Sequence, residues 1–203
     1  MMVFCNYTDA NALIYKNISG TWTKMGNKIT SVAYPWACCL DKEGNQVALG
    51  SGHSTSGGLE IYEYSKTLTE TNGTWERKYY IDQSIQRVAV STLKFNNTGD
   101  LLISGTYVNP DNVMIYRKEN NTWSNINTVS LDSDIYSFDL TENNDFYLNS
   151  GSISYHEYKQ NTQVNEMVVP GNITIIDSSA NNYGAYTVYT TKDASTHFSV
   201  GKS

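Results

Sequence analysis

The run Leu40-Asp41-Lys42-Glu43-Gly44-Asn45-Gln46-Val47-Ala48-Leu49-Gly50, followed by Leu59-Glu60-Ile61-Tyr62-Glu63-Tyr64 and Gly73-Thr74-Trp75, decides the fold. Val47-Ala48-Leu49 and Leu59-Glu60-Ile61-Tyr62 are short, branched and aromatic runs of the kind that pack on a pleated surface. Glycine, asparagine, serine or aspartate stands near their ends, and Gly44 accepts the positive φ that a tight hairpin demands. The stretch reads as strands joined by hairpins.

The same markers return along the chain. Ile14-Tyr15, Ile61-Tyr62 and Ile115-Tyr116 precede Gly20-Thr21-Trp22, Gly73-Thr74-Trp75 and Asn121-Thr122-Trp123. Tyr155-His156-Glu157-Tyr158 reads as a degenerate fourth copy, matched to Ile61-Tyr62-Glu63-Tyr64. The turn residues Gly44, Gly99, Asn144 and Asn182 follow one another at steps of 55, 45 and 38 residues. No segment shows sustained helical periodicity. A hairpin unit repeated at this spacing is the period of a propeller blade, whereas a sandwich has no reason to repeat the same markers. The expected fold is all-β: a single β-propeller domain over residues 1–203, built of four-stranded antiparallel blades, four or five in number, with incomplete terminal blades. The units fall near 1–30, 31–82, 83–130, 131–169 and 170–203. An open arc completed by a partner chain is the remaining alternative.

The order Ile-Tyr, polar turn, Thr-Trp, strand, then Asp41-x-x-Gly44-Asn45-x-Val47-Ala48-x-Gly50 resembles the FG-GAP-like and WD-like propeller repeats. The match is best over residues 13–64, good over 91–123 and poor beyond about residue 130. It implies a fold more than a function. The closely spaced acidic loop of the calcium-binding members is missing: the turns here read Asp41-Lys42-Glu43-Gly44 and Asn96-Asn97-Thr98-Gly99-Asp100. They lack the carboxylates needed to give Ca²⁺ six or more oxygens. The Trp-Asp dipeptide of the WD class is also absent.

Composition narrows the function. Charged residues are 17% of the 203 and hydrophobic ones 39%, which fits neither a disordered acidic tail nor a membrane protein. The net charge of −6 argues against nucleic acid as a partner. No run approaches the length of an apolar membrane span, and the N-terminus lacks the basic region of a signal peptide. These features predict a cytoplasmic or virion-associated chain without membrane insertion. Six asparagines (Asn6, Asn17, Asn72, Asn96, Asn120 and Asn172) match a glycosylation pattern too loose to fix a compartment. Cys5, Cys38 and Cys39 read as reduced strand cysteines, and no metal site or cofactor is expected.

In a propeller the loops joining outermost to innermost strands, and second to third strands, share one face. That face is assigned Tyr34, Trp36, His53, Arg87, Tyr107, Asp111, Asp132 and Asp134 as candidate binding residues. Aromatic rings and carboxylates there suit a sugar; the competing reading packs Tyr34 and Trp36 between blades. Trp22, Trp75 and Trp123 read as inter-blade packing. The loop Gly50-Ser51-Gly52-His53-Ser54-Thr55-Ser56-Gly57-Gly58 lacks the Gly-Lys-Ser/Thr ending of a phosphate cradle. No catalytic grouping is recognisable, although Asp132 and Asp134 could pair. The expectation is a non-catalytic interaction or scaffold protein, not an enzyme, holding protein partners in a larger assembly such as a virus or phage particle. The alternative is a carbohydrate-binding, lectin-like propeller whose partners are glycans.

Overall fold

Each marker of the sequence occupies a fixed place in a repeated antiparallel sheet. The computed structural model describes residues 1–31, 34–52, 58–68, 72–82, 90–106, 113–130, 135–140, 146–150, 154–159, 162–168, 175–180, 187–191 and 198–200. Of these, residues 81–82, 136–138 and all beyond 140 are described by backbone alone.

Five sheets follow in chain order. The first holds β1 (Met2–Asn6), β2 (Asn11–Ile18), β3 (Thr21–Lys24) and β4 (Ile29–Thr30). The second holds β5 (Pro35–Leu40), β6 (Gln46–Ser51), β7 (Gly58–Ser65) and β8 (Thr74–Asp82), and the third β9 (Val90–Phe95), β10 (Leu101–Thr106), β11 (Val113–Glu119) and β12 (Thr122–Val129). The fourth holds β13 (Ile135–Leu140), β14 (Phe146–Ser150), β15 (Ser154–Lys159) and β16 (Thr162–Val168), and the last β17 (Ile175–Ala180), β18 (Thr187–Thr191) and β19 (Phe198–Val200). The sheets are antiparallel, and their first strands pack in series: β1 on β5, β5 on β9, β9 on β13, β13 on β17. The fold is an all-β propeller of four-stranded blades with incomplete terminal blades.

Register shows why the Ile-Tyr pair repeats. Tyr62 lies opposite Val47 and Arg77, and Tyr116 opposite Leu102 and Asn125. Just before each tyrosine the pairing with the outer strand slips by one residue, a bulge that deepens the twist of the blade edge. In the fourth sheet the tyrosine in that place is Tyr158, opposite Phe146 and Gln163. The sequence match of Tyr158 to Tyr64 is therefore out by two residues. The alternation of side chains survives a slip of two, so the pattern alone does not detect it.

Tyr15 takes the same place in the first sheet, opposite Met2 and Lys24. β1 thus stands at the second position of a blade. The outer strand here is split: β3 ends at Lys24, and pairing resumes at Ala12 with Ile29. Residues 25–28 pass opposite only Leu13 and Ile14, two extra residues where the next two blades have one.

The turns are built by their own side chains. Asp41 Oδ1 accepts from the Asn45 and Gln46 amides at 2.8 and 2.9 Å, and Asn96 Oδ1 from Asp100 and Leu101 at 3.1 and 3.0 Å. Gly44 and Gly99 sit at φ +73° and +72°, where a Cβ would be strained. The Asx residues of these turns therefore cap hairpins, and Asn96 of the glycosylation pattern is buried in its own turn.

Blades adhere face to face. Ala12, Ile14 and Ile29 of the first meet Val47, Leu49, Tyr62 and Trp75 of the second. Ala48, Leu59 and Ile61 of the second meet Leu93, Phe95, Leu102, Tyr116 and Trp123 of the third. Burying each of the larger aliphatic chains contributes about 1.5–3 kcal/mol at most. Trp75 and Trp123 are buried in these seams, but Trp22 is 46% exposed. Trp75 donates from Nε1 to the Met25 carbonyl at 2.9 Å, so the widened outer strand of the first blade is its acceptor.

Candidate functional site

Two chain segments bring aromatic rings to the face predicted for binding. The first is the turn between β1 and β2. Asn6 Oδ1 accepts from the Asp9 amide at 3.1 Å, Asn6 Nδ2 donates to Asp9, and Ala10 takes a φ of +47°. This Asx turn presents Tyr7 to solvent. The second is the entry to β5. Ser31 donates to the carboxylate of Glu60, which is wholly buried and also held by Tyr62 Oη at 3.0 Å and Arg77 Nη1 at 2.9 Å. The anchored chain then delivers Tyr34 and Trp36.

Tyr7 and Tyr34 are each 41% exposed, and Trp36 is 62% exposed. The Tyr7 ring lies 5.6 Å from Tyr34 and 5.9 Å from Trp36, the latter at 82°. The Tyr7–Trp36 pair takes the edge-to-face geometry that aromatic rings prefer. Gly52 makes room for the indole: a Cβ there would stand 2.4 Å from the Trp36 ring. The Gly52 amide donates to the Tyr34 carbonyl at 3.3 Å, tying the end of β6 to the same cluster. Tyr34 and Trp36 are thus exposed rings that meet Tyr7 across the boundary between the first two blades.

Below them lie two thiols. Cys5 Sγ donates to the Trp36 carbonyl at 3.8 Å. The neighbouring Cys38 thiol holds Cys5 down to about 7, while Cys5 and burial push Cys38 up. Burial pushes Cys39 up to about 12. All three cysteines are free.

Of the sequence-assigned residues, Tyr34 and Trp36 come together. His53, Arg87, Tyr107, Asp111, Asp132 and Asp134 lie outside the described residues. Tyr7 is not among the sequence-assigned residues. The missing signal is Thr8-Asp9-Ala10-Asn11, a turn composition directly after it. Among the described residues no group of three or more His, Cys, Asp or Glu is placed to hold a metal ion, and no helix is long and apolar enough to cross a membrane.

No family model matches the chain, and neither does any curated protein sequence. Solved structures do match. A protein of Bacteroides uniformis assigned as a 6-phosphogluconolactonase superposes with a TM-score of 0.71 at 11% identity, over 99% of this chain and 63% of its own. The periplasmic gluconolactonase PpgL of Pseudomonas aeruginosa superposes with a TM-score of 0.67 at 11% identity, over 94% of this chain and 59% of its own. The chain shares the propeller fold of these lactonases. It spans about three fifths of the length of each.

These matches correct three expectations. The FG-GAP-like and WD-like resemblance holds only at the level of a β-propeller, because the superposing propellers are of the gluconolactonase type. The non-catalytic scaffold in a virion or similar assembly is contradicted, since the propellers matched are named as lactonases. The reading as a non-enzyme falls with it. The cause of the error is physical. Repeats report packing positions, which every blade needs, whereas a propeller's reacting groups come singly from loops of different blades and leave no motif.

Proposed function

We propose that this propeller serves a lactone hydrolase acting on sugar-derived lactones, with substrate held on the face carrying Tyr7, Tyr34 and Trp36. The observation that carries the reading is the superposition of 99% of the chain on a propeller assigned as a 6-phosphogluconolactonase. The exposed aromatic cluster supports it, because ring faces stack on the apolar C–H faces of sugars. Hydrolysis of a lactone needs a water directed at the ester carbonyl, stabilisation of the oxyanion, and a proton for the departing ring oxygen. In this reading Arg87 stabilises the oxyanion, and His53 or an aspartate of the pair Asp132 and Asp134 directs the water.

The test is proton release from glucono-δ-lactone and its 6-phosphate, measured against spontaneous opening at mildly acidic pH. Enzymatic turnover that Arg87→Ala lowers by about a hundredfold or more supports the assignment. Trp36→Ala is expected to raise KM with kcat retained, as loss of uniform binding does. A rate equal to the spontaneous one for both lactones refutes the proposal.

A further inference from the structure

At the opposite end of the first two blades, on the outer rim, the widened strand of the first blade leaves a cavity of about 400 Å³. It is lined by Lys16, Ile18, Thr23, Lys24 and Met25 of the first blade and by Tyr64, Lys66 and Asn72 of the second. Its origin is in the sequence. The chain from Ile18 to Thr21 turns through Ser19 and Gly20, both at positive φ, the tight two-residue hairpin. The corresponding connection of the second blade, residues 66–73, is much longer, and its far end reaches the bulge at residues 25–28. Asn72 Oδ1 joins the two, accepting from the Gly26 amide at 2.8 Å. The Tyr64 ring closes the inner wall, 5.2 Å from Trp75, with its hydroxyl accepting from the Gly73 amide at 2.9 Å.

The lining is chemically one-sided. Three of the 14 basic residues of an acidic chain line this one cavity, and no carboxylate does among the described residues. Lys16 and Lys24 are exposed and have no ion-pair partner among the described residues. By contrast, Lys78, Lys94 and Lys118 each meet a carboxylate. Ile18, Met25 and Tyr64 supply an apolar wall beside the ammonium groups. A volume of this order holds a small organic molecule. Lysine binds phosphate as a mobile point charge with three donors.

We propose that this rim cavity is a binding site for a small phosphomonoester with an apolar body, separate from the aromatic face and independent of the lactonase reading. The phosphate sits between Lys16 and Lys24, with the Thr23 hydroxyl and the Asn72 amide as neutral partners. The body lies against Tyr64, Ile18 and Met25.

The test titrates phenyl phosphate into the full chain and follows backbone amide shifts. Saturable shifts confined to residues 16–26 and 64–73 are expected. Lys16→Gln with Lys24→Gln should weaken binding about tenfold or more, with the melting temperature unchanged because both side chains are exposed. Raising the salt concentration should weaken it further. Inorganic phosphate should bind more weakly than phenyl phosphate. Shifts that are absent, that survive the double substitution, or that inorganic phosphate reproduces at equal affinity overturn the proposal. Glu70, two positions before Asn72 in the chain, lies outside the described residues. A tenfold gain in affinity on Glu70→Gln would identify that carboxylate as the native occupant and also overturn it.

Discussion

Replacing Arg77 with alanine tests whether the Glu60 network anchors the entry to the aromatic face. Glu60 is wholly buried, whereas the Arg77 side chain is 40% exposed. The two members are therefore unequal. Among the described residues, loss of Arg77 leaves the buried carboxylate with the neutral donors Tyr62 at 3.0 Å and Ser31. Breaking a fully buried pair in this direction costs about 3–5 kcal/mol. The exposed guanidinium was already screened by water, which brings the expectation to about 2–3 kcal/mol. Its stacking over Tyr80, 4.9 Å from the ring centroid, adds a fraction of that. For a chain of this size about 2–3 kcal/mol lowers the melting temperature by roughly 4–12 °C. Glu60→Gln keeps the shape, leaves an acceptor for Ser31 and Tyr62, and releases Arg77 to water. It should cost about 1 kcal/mol. The double variant should recover most of the Arg77→Ala loss, since no buried charge remains. Urea unfolding of the four proteins gives the cycle. Equal losses from the two single variants, with simple additivity, would falsify the argument that the buried member depends on the exposed one.

The two buried tryptophans should differ under the same substitution. Trp75→Phe loses the 2.9 Å bond to Met25 as well as volume, about 2–3 kcal/mol. Trp123 Nε1 has no acceptor among the described residues, so Trp123→Phe should cost about 1 kcal/mol less, read by urea midpoint. Alkylation followed by mass spectrometry should modify Cys5 with half-maximal rate near pH 7 and leave Cys39, held at about 12, unmodified at neutral pH. Equal labelling of both sinks that assignment. Asp100 is held below the ordinary carboxylate range by Thr98 and Asn96. Its contribution is present above the unfolded value of about 3.9 and is lost as pH falls through the lower folded value. Asp100→Asn should therefore be less stable than the parent near neutral pH and converge on it in acid. A gap that persists unchanged into acid would show that the charge is not its source.

Much of the framework was legible because it is repeated. Ile61-Tyr62 and Ile115-Tyr116 recur since each blade needs the same buried residue and the same bulge beside it. Gly44 and Gly99 recur because each turn needs the same positive φ, and Trp75 and Trp123 because each seam needs filling. The site was legible only in part. Tyr34 and Trp36 stood out as aromatics at a strand entry. Tyr7 did not, because it meets them across a blade boundary, 27 and 29 residues away in sequence.

Periodicity assigns a side chain to one face of a sheet, and face assignment is a local property of the backbone. What stands across that face depends on how two sheets stack, and local pattern does not contain it. The sequence by itself therefore determined an all-β chain, its hairpin turns and its repeated blade. Tertiary structure alone decided that Trp22 is exposed where Trp75 is buried, and that Tyr158, not His156, holds the bulge position of the fourth blade. It also decided that two extra residues in one outer strand open a lysine-lined cavity. Each of these is a distance between residues on different strands or blades, set by close packing rather than by the order of residues along the chain.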